Sequence, residues 1–331
     1  MTADPALRAL LLKAINAQQE GEHEAGQPVL ILDKKYDAQH ILKIARSVSL
    51  PEITALMRAS DIREKGLAAV KAGDITNGEA LLRKARCIFS EAGLSKEARV
   101  SADSFQYPAE AYLQYRSGDY DQAEASVLRA IELCRTLRDE YEHRVEVRRI
   151  HLARNVVRVR TATGKREEAL RMASLLVGYL EGDQSQWPFP ELAMTTSPDP
   201  LLSEERWSLM DQVLGEVAIL ATCRSSKSRR LVNGRAGWLF ARGSKTVGEF
   251  ARVHSWLAAR RASIEGDANE FLTHGIAFFG ERRGYLRRSW RELTSDLVTF
   301  CRAIAPDELT SIHGDQNSRK IRGKEADGLV T

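Results

Sequence analysis

Small and aliphatic residues recur at a fixed spacing around three glycines in the first half of the chain. The glycines are Gly73, Gly118 and Gly164. A small or aliphatic residue lies seven positions before each glycine, and others follow five and twelve positions after it. This shared pattern predicts three pairs of helices, each pair folded as an antiparallel hairpin about its glycine.

The glycines and the small residues have separate steric roles in this prediction. A helix commonly ends in a left-handed residue, a conformation that glycine adopts without steric cost. Small residues at the flanking positions let the two helices of a hairpin approach closely. Each glycine is therefore predicted to close the first helix, and the small residues are predicted to lie where the helices meet.

The segment Ser117–Ala125, with alanine at 123 and again seven residues later at Ala130, resembles a tetratricopeptide repeat. The family period is 34 residues, whereas the three glycines here are 45 and 46 residues apart. The helices are therefore expected to be longer than those of a standard repeat. The resemblance implies an all-α fold, a right-handed solenoid of helical hairpins followed by a C-terminal helical block.

The resemblance covers residues 104–135 best, residues 59–90 fairly and residues 150–180 in part. A fourth candidate hairpin runs through Trp256–Asp267 and is followed by Phe271 and Phe278, where the family has small residues. We expect it to fold as a hairpin of the C-terminal block.

Prolines mark the clearest break in the chain. Four of the nine prolines lie in residues 182–202, so no helix is expected to cross that segment. Amphipathic helices are predicted at 5–20 and 36–48, and the apolar run at 28–33 is compatible with a strand or a packed linker. The predicted parts are N-terminal helices at 1–50, repeats at 51–181, a proline-rich linker at 182–202, a C-terminal helical block at 203–312 and a disordered tail at 313–331.

Charge is distributed unevenly along the 331 residues. The formal net charge is +4, but Arg224–Glu292 carries an excess of nine positive charges, which leaves the remainder acidic. Such an arrangement can steer an anionic partner to one face of a protein. Ala, Leu, Arg and Glu are abundant, and these residues favour helices.

Several function classes lack support in the sequence. There is no apolar run long enough for a membrane span, no secretory signal pattern and no nucleotide-binding or hydrolase motif. The four cysteines are far apart, which favours buried thiols in a reducing compartment over disulfides or zinc. We therefore expect a cytoplasmic protein with no cofactor, no metal and no membrane partner, and no positive case for an enzyme emerges.

The most informative candidate site is a polar stripe around His151. Arg144, Arg148, His151, Asn155 and Arg158 follow steps of four and three and so share one helix face. A solvated face is the alternative interpretation. In tetratricopeptide proteins the first helix of each hairpin lines a concave groove, and carrying this over predicts a cationic and aromatic groove. Its predicted residues are Arg63, Lys71, Tyr112, Tyr115, Arg116, Arg144, Arg148, His151, Arg154 and Arg158.

A second candidate is a basic block that also contains aromatic residues, among them Trp238, Phe240 and Trp290. Lys and Arg near aromatics suit phosphate neutralisation and base stacking, as in nucleic-acid binding. The favoured alternative is that the aromatics are core residues of amphipathic helices. The nucleic-acid contacts this block would supply are Arg229, Arg230, Arg235, Arg242, Arg287 and Arg288.

These observations lead to three functional hypotheses. In the first, a basic groove holds an acidic or phosphorylated protein or peptide, because Arg forks grip carboxylates and phosphates. The alternative is an enzyme or small-molecule sensor with a pocket between the repeats and the C-terminal block, using His151, Arg158 and residues near 238–256. The third is nucleic-acid binding through the basic block.

Overall fold

The regular elements of this protein are helices. A computed structural model describes residues 4–25, 43–221, 230, 238–241, 248–281 and 286–311, and within these no strand occurs. The predicted all-α class is therefore confirmed for this part of the chain. The apolar run at 28–33, most of the helix predicted at 36–48 and the tail at 313–331 lie outside the described residues.

The chain folds into two units, each with its own set of helices. In chain order the helices are α1 (Pro5–Ala25), α2 (Leu50–Lys71), α3 (Ile75–Glu91), α4 (Lys96–Arg116), α5 (Tyr120–Tyr141), α6 (Glu146–Ala162), α7 (Arg166–Leu180), α8 (Ser203–Leu220), α9 (Ala251–Glu265), α10 (Ala268–Gly280) and α11 (Arg287–Ile304). Short helical turns occur at Gln184–Gln186, Pro190–Leu192, Trp238–Ala241 and Pro306–Ser311. Unit 1 takes the described residues of 1–29, 166–186 and 203–326, and unit 2 those of 30–165 and 187–202.

In unit 2 the helices pair in sequence order, α2 with α3 and α4 with α5. Gly73 and Gly118 follow the first helix of each pair with φ of +91° and +81°, so the predicted left-handed closure is confirmed. An aspartate comes next in both turns and caps the second helix: the Asp74 carboxylate accepts from the N–H of Asn77, and Asp119 does the same for Gln122. Glycine ends one helix and aspartate begins the next.

The third glycine of the pattern has the same backbone conformation. Gly164 follows α6 with φ of +80°. Lysine, at position 165, takes the place that aspartate has after Gly73 and Gly118. The left-handed closure of the first helix is therefore shared by all three glycines, whereas the capping aspartate is not.

The helices are long, as the 45-residue spacing predicts. α2 and α3 have 22 and 17 residues, and α4 and α5 have 21 and 22. Either pair alone therefore holds more helical residues than an entire 34-residue tetratricopeptide repeat. The prediction of lengthened helices is confirmed.

The small residues lie where α2 and α3 approach each other. A Cβ added to Gly78 would lie 2.3 Å from a methyl carbon of Val70, and one added to Gly66 would lie 3.1 Å from Leu82. Ala85 is fully buried in the same helix pair. The predicted use of small residues at the helix interface is confirmed here.

A single carboxylate connects the N-termini of α2 and α4. Glu52 Oε2 accepts from the N–H of Ser49, which precedes α2, and Oε1 accepts from the N–H of Ser95, which precedes α4. Hydrogen bonds from Ser95 and Ser49 lower the pKa of Glu52 to about 2. The first helices of two successive hairpins therefore begin on one shared anion.

In unit 1 the fourth candidate is also a hairpin. Gly266, with φ of +86°, closes α9, and the Asp267 carboxylate accepts from the N–H of Glu270 at the start of α10. This is the same glycine–aspartate turn as in unit 2. Phe271 and Phe278 are fully buried in α10, so bulky residues take the place of small ones in this hairpin.

Two buried carboxylates organise the rest of unit 1. Asp211 of α8 accepts from the N–H groups of Arg288 and Ser289 and so caps the N-terminus of α11. Asp296 of α11 forms a buried ion pair with Arg260 of α9. Arg260 also donates to carbonyl oxygens at the end of α8, which ties three helices together.

The expectation of buried thiols holds in part. Cys134 and Cys301 are buried, and burial raises the pKa of both thiols. Cys87 is exposed, so the expectation is wrong for this residue. Cys223 lies outside the described residues. No helix in the described part of the chain has the length and apolar character needed to cross a membrane.

Candidate binding site

The ring of Phe105, on α4, contacts two arginines from other helices of unit 2. The guanidinium carbon of Arg148, on α6, is 3.6 Å from the centre of the Phe105 ring. The guanidinium carbon of Arg63, on α2, is 5.2 Å from the same centre. Both distances fall within the range of cation–π attraction. Arg63, Phe105 and Arg148 are called the Phe105 cluster below.

Each arginine of the cluster has a second contact that sets its orientation. Arg148 Nη2 donates to the carbonyl oxygen of Ser104 at 2.8 Å, and Arg63 Nη2 donates to Ser60 Oγ at 2.9 Å. The Nε–H of Arg148 is buried and donates to no acceptor within the described residues. An arginine held by its face keeps in-plane N–H groups that suit a carboxylate or phosphate.

Two carboxylates on the helices of the cluster, Glu64 of α2 and Glu110 of α4, have contacts of their own. Glu64 lies 3.6 Å from Arg63, but its side chain is 61% exposed, so water screens this pair. On α4, Glu110 makes two hydrogen bonds to Arg86 of α3. The cluster therefore combines two cations on one aromatic ring.

The other predicted groove residues of α2 and α4 lie outside the Phe105 cluster. Arg116 Nη1 donates to the hydroxyl of Tyr112, whose ring is fully buried in the core. Tyr115 meets Tyr120 edge to face with ring centres 5.5 Å apart. Lys71, in the last turn of α2, is partly buried.

The predicted groove residues of α6 are more enclosed than the sequence indicated. Arg154 and Arg158 have exposed fractions of 5% and 8%, and Arg154 Nη2 donates to the side chain of Asn155. His151 is partly buried. The stripe on α6 is therefore not a solvated face, and within the predicted groove it is Arg63 and Arg148 that the structure brings together on one aromatic ring.

A separate arginine-rich surface of unit 2 holds the segment Trp187–Leu202, called the strap below. Arg149 of α6 forms a buried ion pair with Glu146 and lies 4.0 Å from the centre of the Trp187 ring. Arg144, a predicted groove residue, donates to the carbonyl oxygen of Pro200 at 3.4 Å. Arg144 therefore contacts the strap, whereas Arg148 contacts the Phe105 ring.

The residues of the basic block are described only in part. Arg229, Arg235 and Arg242 lie outside the described residues, and Arg230 is exposed. Arg287 is exposed at the start of α11, and the side chain of Arg288 approaches Gly215 of α8. Phe240 and Trp290 are buried, so these two rings are core residues and offer no face for base stacking.

The residues named for a catalytic pocket belong to different units. His151 and Arg158 lie in unit 2, whereas Trp256 is fully buried in unit 1, where its Nε1 donates to the carbonyl oxygen of Ser289. Such a pocket stays a prediction. Within the described ranges, no group of three or more His, Cys, Asp or Glu side chains has metal-binding geometry.

Two sets of contacts in the structure were not predicted from the sequence. Phe105 lies seven residues before Tyr112, and therefore on the same face of α4, so helical periodicity could have found it. Arg135 and Arg138, which bind the strap, follow no spacing that distinguishes them from other arginines of α5. Their role depends on a distant segment of chain.

Comparison with known proteins gives no relative for this chain. No family model, no curated protein and no solved structure matches it. Its function has to be inferred from its own geometry.

Proposed function

We propose that this protein is a binding scaffold of the tetratricopeptide-like type that holds an acidic or phosphorylated segment of a partner protein. In this proposal α2, α4 and α6, the first helices of three successive hairpins, line one concave groove. The Phe105 cluster is the point at which the groove grips an anionic side chain. The observation that carries the proposal is the meeting of Arg63, Phe105 and Arg148 from these three helices.

The shared turn chemistry supports the repeat interpretation. Gly73–Asp74, Gly118–Asp119 and Gly266–Asp267 form the same turn, in which glycine closes one helix and aspartate caps the next. The contact between α2 and α4 links consecutive first helices directly. A solenoid built from such hairpins presents its first helices side by side.

The chemistry of the cluster favours an anion. Arg63 and Arg148 bring two positive charges to one ring, and a carboxylate or phosphate that contacts the partly exposed Arg148 would add a countercharge there. Hydrogen bonds to charged groups contribute about 1.5–3 kcal/mol each, and a guanidinium fork can form two of them with one anion. None of the ten predicted groove residues is acidic, which fits the same ligand class.

The proposal is tested with labelled peptides and two arginine variants. A short peptide of alternating glutamate and serine, the same peptide with phosphoserine, and a neutral glutamine version are titrated in fluorescence anisotropy. Arg148→Gln should weaken binding of both anionic peptides by roughly tenfold, the loss of about one charge-assisted contact. Arg83→Gln is the matched control, because Arg83 is an exposed arginine of α3 paired with Glu79.

The outcomes separate the proposal from general electrostatic attraction. Binding that favours the anionic peptides and depends on Arg148 but not on Arg83 supports the groove. Equal losses in the two variants would mean that net charge alone attracts the peptides. No preference for the anionic peptides over the neutral one would refute the proposed function.

A further inference from the structure

The strap lies along arginines of α5, of α6 and of the segment between these helices, and it contains one helical turn, Pro190–Leu192. Four arginine side chains donate to its backbone carbonyl oxygens between residues 191 and 200. The pairs are Arg135 with Glu191 at 3.0 Å, Arg149 with Leu192 at 3.3 Å, Arg138 with Ser197 at 3.1 Å and Arg144 with Pro200 at 3.4 Å. Because every residue type has a carbonyl oxygen, these four contacts do not select a sequence.

Two contacts with strap side chains set its register. At one end Trp187 is buried with its ring against Arg149. At the other end Asp199 forms an ion pair with Arg138 at 2.7 Å, and the side chains of Arg138 and Asp199 are only 22% and 13% exposed. Trp187 and Asp199, twelve residues apart, are thus an aromatic residue and a carboxylate through which the strap contacts this surface.

The middle of the strap is more exposed and has longer hydrogen bonds than the Asp199 contact. Thr195 and Thr196 are exposed, and their contacts are hydrogen bonds of 3.3 and 3.2 Å to the carboxylate of Asp139. Ser197 is also exposed. The half of the strap that ends at Asp199 can therefore leave the surface without opening a buried apolar core.

We propose that the strap surface, formed by Arg135, Arg138, Arg144 and Arg149, is a second peptide-binding site, and that the strap is its resident occupant. The external ligand is a segment of a partner protein that, like the strap, contains prolines and no α-helix, with an aromatic residue and a carboxylate at the spacing of Trp187 and Asp199. The partner segment binds by displacing the strap.

A partner segment must compete with the strap, and this competition regulates access to the strap surface. A segment tethered in the same chain has an effective concentration on the order of millimolar. A free segment of equal affinity at micromolar concentration cannot displace it. Partner binding therefore requires a segment that binds more tightly, or a change that weakens the contact between Arg138 and Asp199.

The site shares no residue with the Phe105 cluster, since the strap contacts involve Arg135, Arg138, Arg144 and Arg149. A chain that binds no acidic peptide at the Phe105 cluster can still exchange its strap. The reverse also holds, so the two proposals fail separately.

The test uses the full chain and a labelled peptide with the sequence of residues 187–202. In the Asp199→Lys chain the introduced ammonium group repels Arg138, and the strap loses its carboxylate anchor. The peptide, which retains the aspartate, should bind this chain at least about tenfold more tightly than it binds wild type. The charge-swapped chain R138E/D199K restores the pair with reversed polarity, and its affinity for the peptide should return to the wild-type level.

A second variant tests the site without any change in the strap. The Arg138→Glu chain should bind a peptide with the D199K substitution in preference to the natural peptide. Circular dichroism and urea unfolding confirm that each variant is folded. A control peptide with Trp187→Ala should bind weakly to every chain.

Three results would overturn the proposal. The first is a D199K chain that binds the peptide no better than wild type. The second is an R138E chain that does not distinguish the two peptides. The third is a dimeric mass for the D199K chain without added peptide, which would make a second copy the occupant in place of a partner.

Discussion

The guanidinium group of Arg148 lies against the ring of Phe105, with 3.6 Å between the guanidinium carbon and the ring centre. These residues are 43 positions apart and belong to different helices, α6 and α4. The contact therefore connects two helices and also places a cation on the proposed binding face. It has a stabilising role and a proposed functional role, and these can be measured separately.

A double-mutant cycle measures how much this contact contributes to the free energy of unfolding. Phe105→Leu, Arg148→Gln and the double variant are compared by urea unfolding. The coupling free energy should be about 0.5–2 kcal/mol, the range of a partly desolvated cation–π pair. Additive effects of the two substitutions would show that the stacking contributes nothing to stability.

His143 makes the stability of unit 2 depend on pH. Its Nε2 is 2.8 Å from a carboxylate oxygen of Glu97, at the start of α4. Burial lowers the pKa of His143 below its ordinary value, and the cation of Lys43 acts in the same direction, while Glu97 opposes both. The folded chain therefore binds this proton less readily than the unfolded chain.

It follows that stability contributed by neutral His143 is present above about pH 6.5, the ordinary pKa of histidine, and decreases as the pH falls below that value. The slope for one proton is at most about 1.4 kcal/mol per pH unit. Urea unfolding between about pH 7.5 and about pH 5, which brackets that pKa, should show this decline in wild type and a smaller one in His143→Gln. Parallel curves for the two proteins would contradict the assignment.

Two glycines within helices should respond to alanine in opposite ways. Gly78→Ala should destabilise the protein by about 1–3 kcal/mol, because the new methyl group would lie 2.3 Å from Val70. Gly275→Ala should stabilise it by about 0.5–1 kcal/mol, since the nearest atom is 4.0 Å away and alanine favours the helix. Thermal unfolding of the two variants measures both effects. Stabilisation by Gly78→Ala would argue against the close approach of α2 and α3.

The buried pair of Arg260 and Asp296 should matter far more to unit 1 than an exposed pair on α9. Asp296→Ala leaves a buried guanidinium without its counter-charge and should cost about 3–5 kcal/mol. Glu265→Ala breaks the exposed pair with Arg261 and should cost less than about 0.5 kcal/mol. Urea unfolding of the two variants measures both losses. Similar values would show that Asp296 does not anchor α9 to α11.

The hairpins could be predicted from sequence because their signals are local. Gly118 and Asp119 are adjacent, and the backbone conformation of one and the capping bond of the other decide the turn within a few residues. The same turn at Gly266 was found although phenylalanines replace the small residues after it. Local steric and hydrogen-bonding rules were therefore sufficient to predict the turns at Gly118 and Gly266.

The contacts of the candidate site could be predicted only in part. Helical spacing placed Arg148 on the correct helix, but the depth at which Arg154 and Arg158 are buried depends on what packs around α6. The contacts of the strap could not be predicted from local sequence patterns. Prolines correctly excluded an α-helix from residues 182–202, yet Arg138 and Asp199 are 61 positions apart, and no local rule pairs them.

The central claim is that Arg148 contacts an anionic group of the bound partner, and a thermodynamic cycle across the interface tests it most directly. An acidic peptide and its glutamine counterpart are each titrated by calorimetry into wild type and into Arg148→Gln. The proposed contact predicts a coupling free energy of about 1–2 kcal/mol between Arg148 and the peptide charge. A coupling of zero, with measurable binding in all four titrations, would contradict the claim.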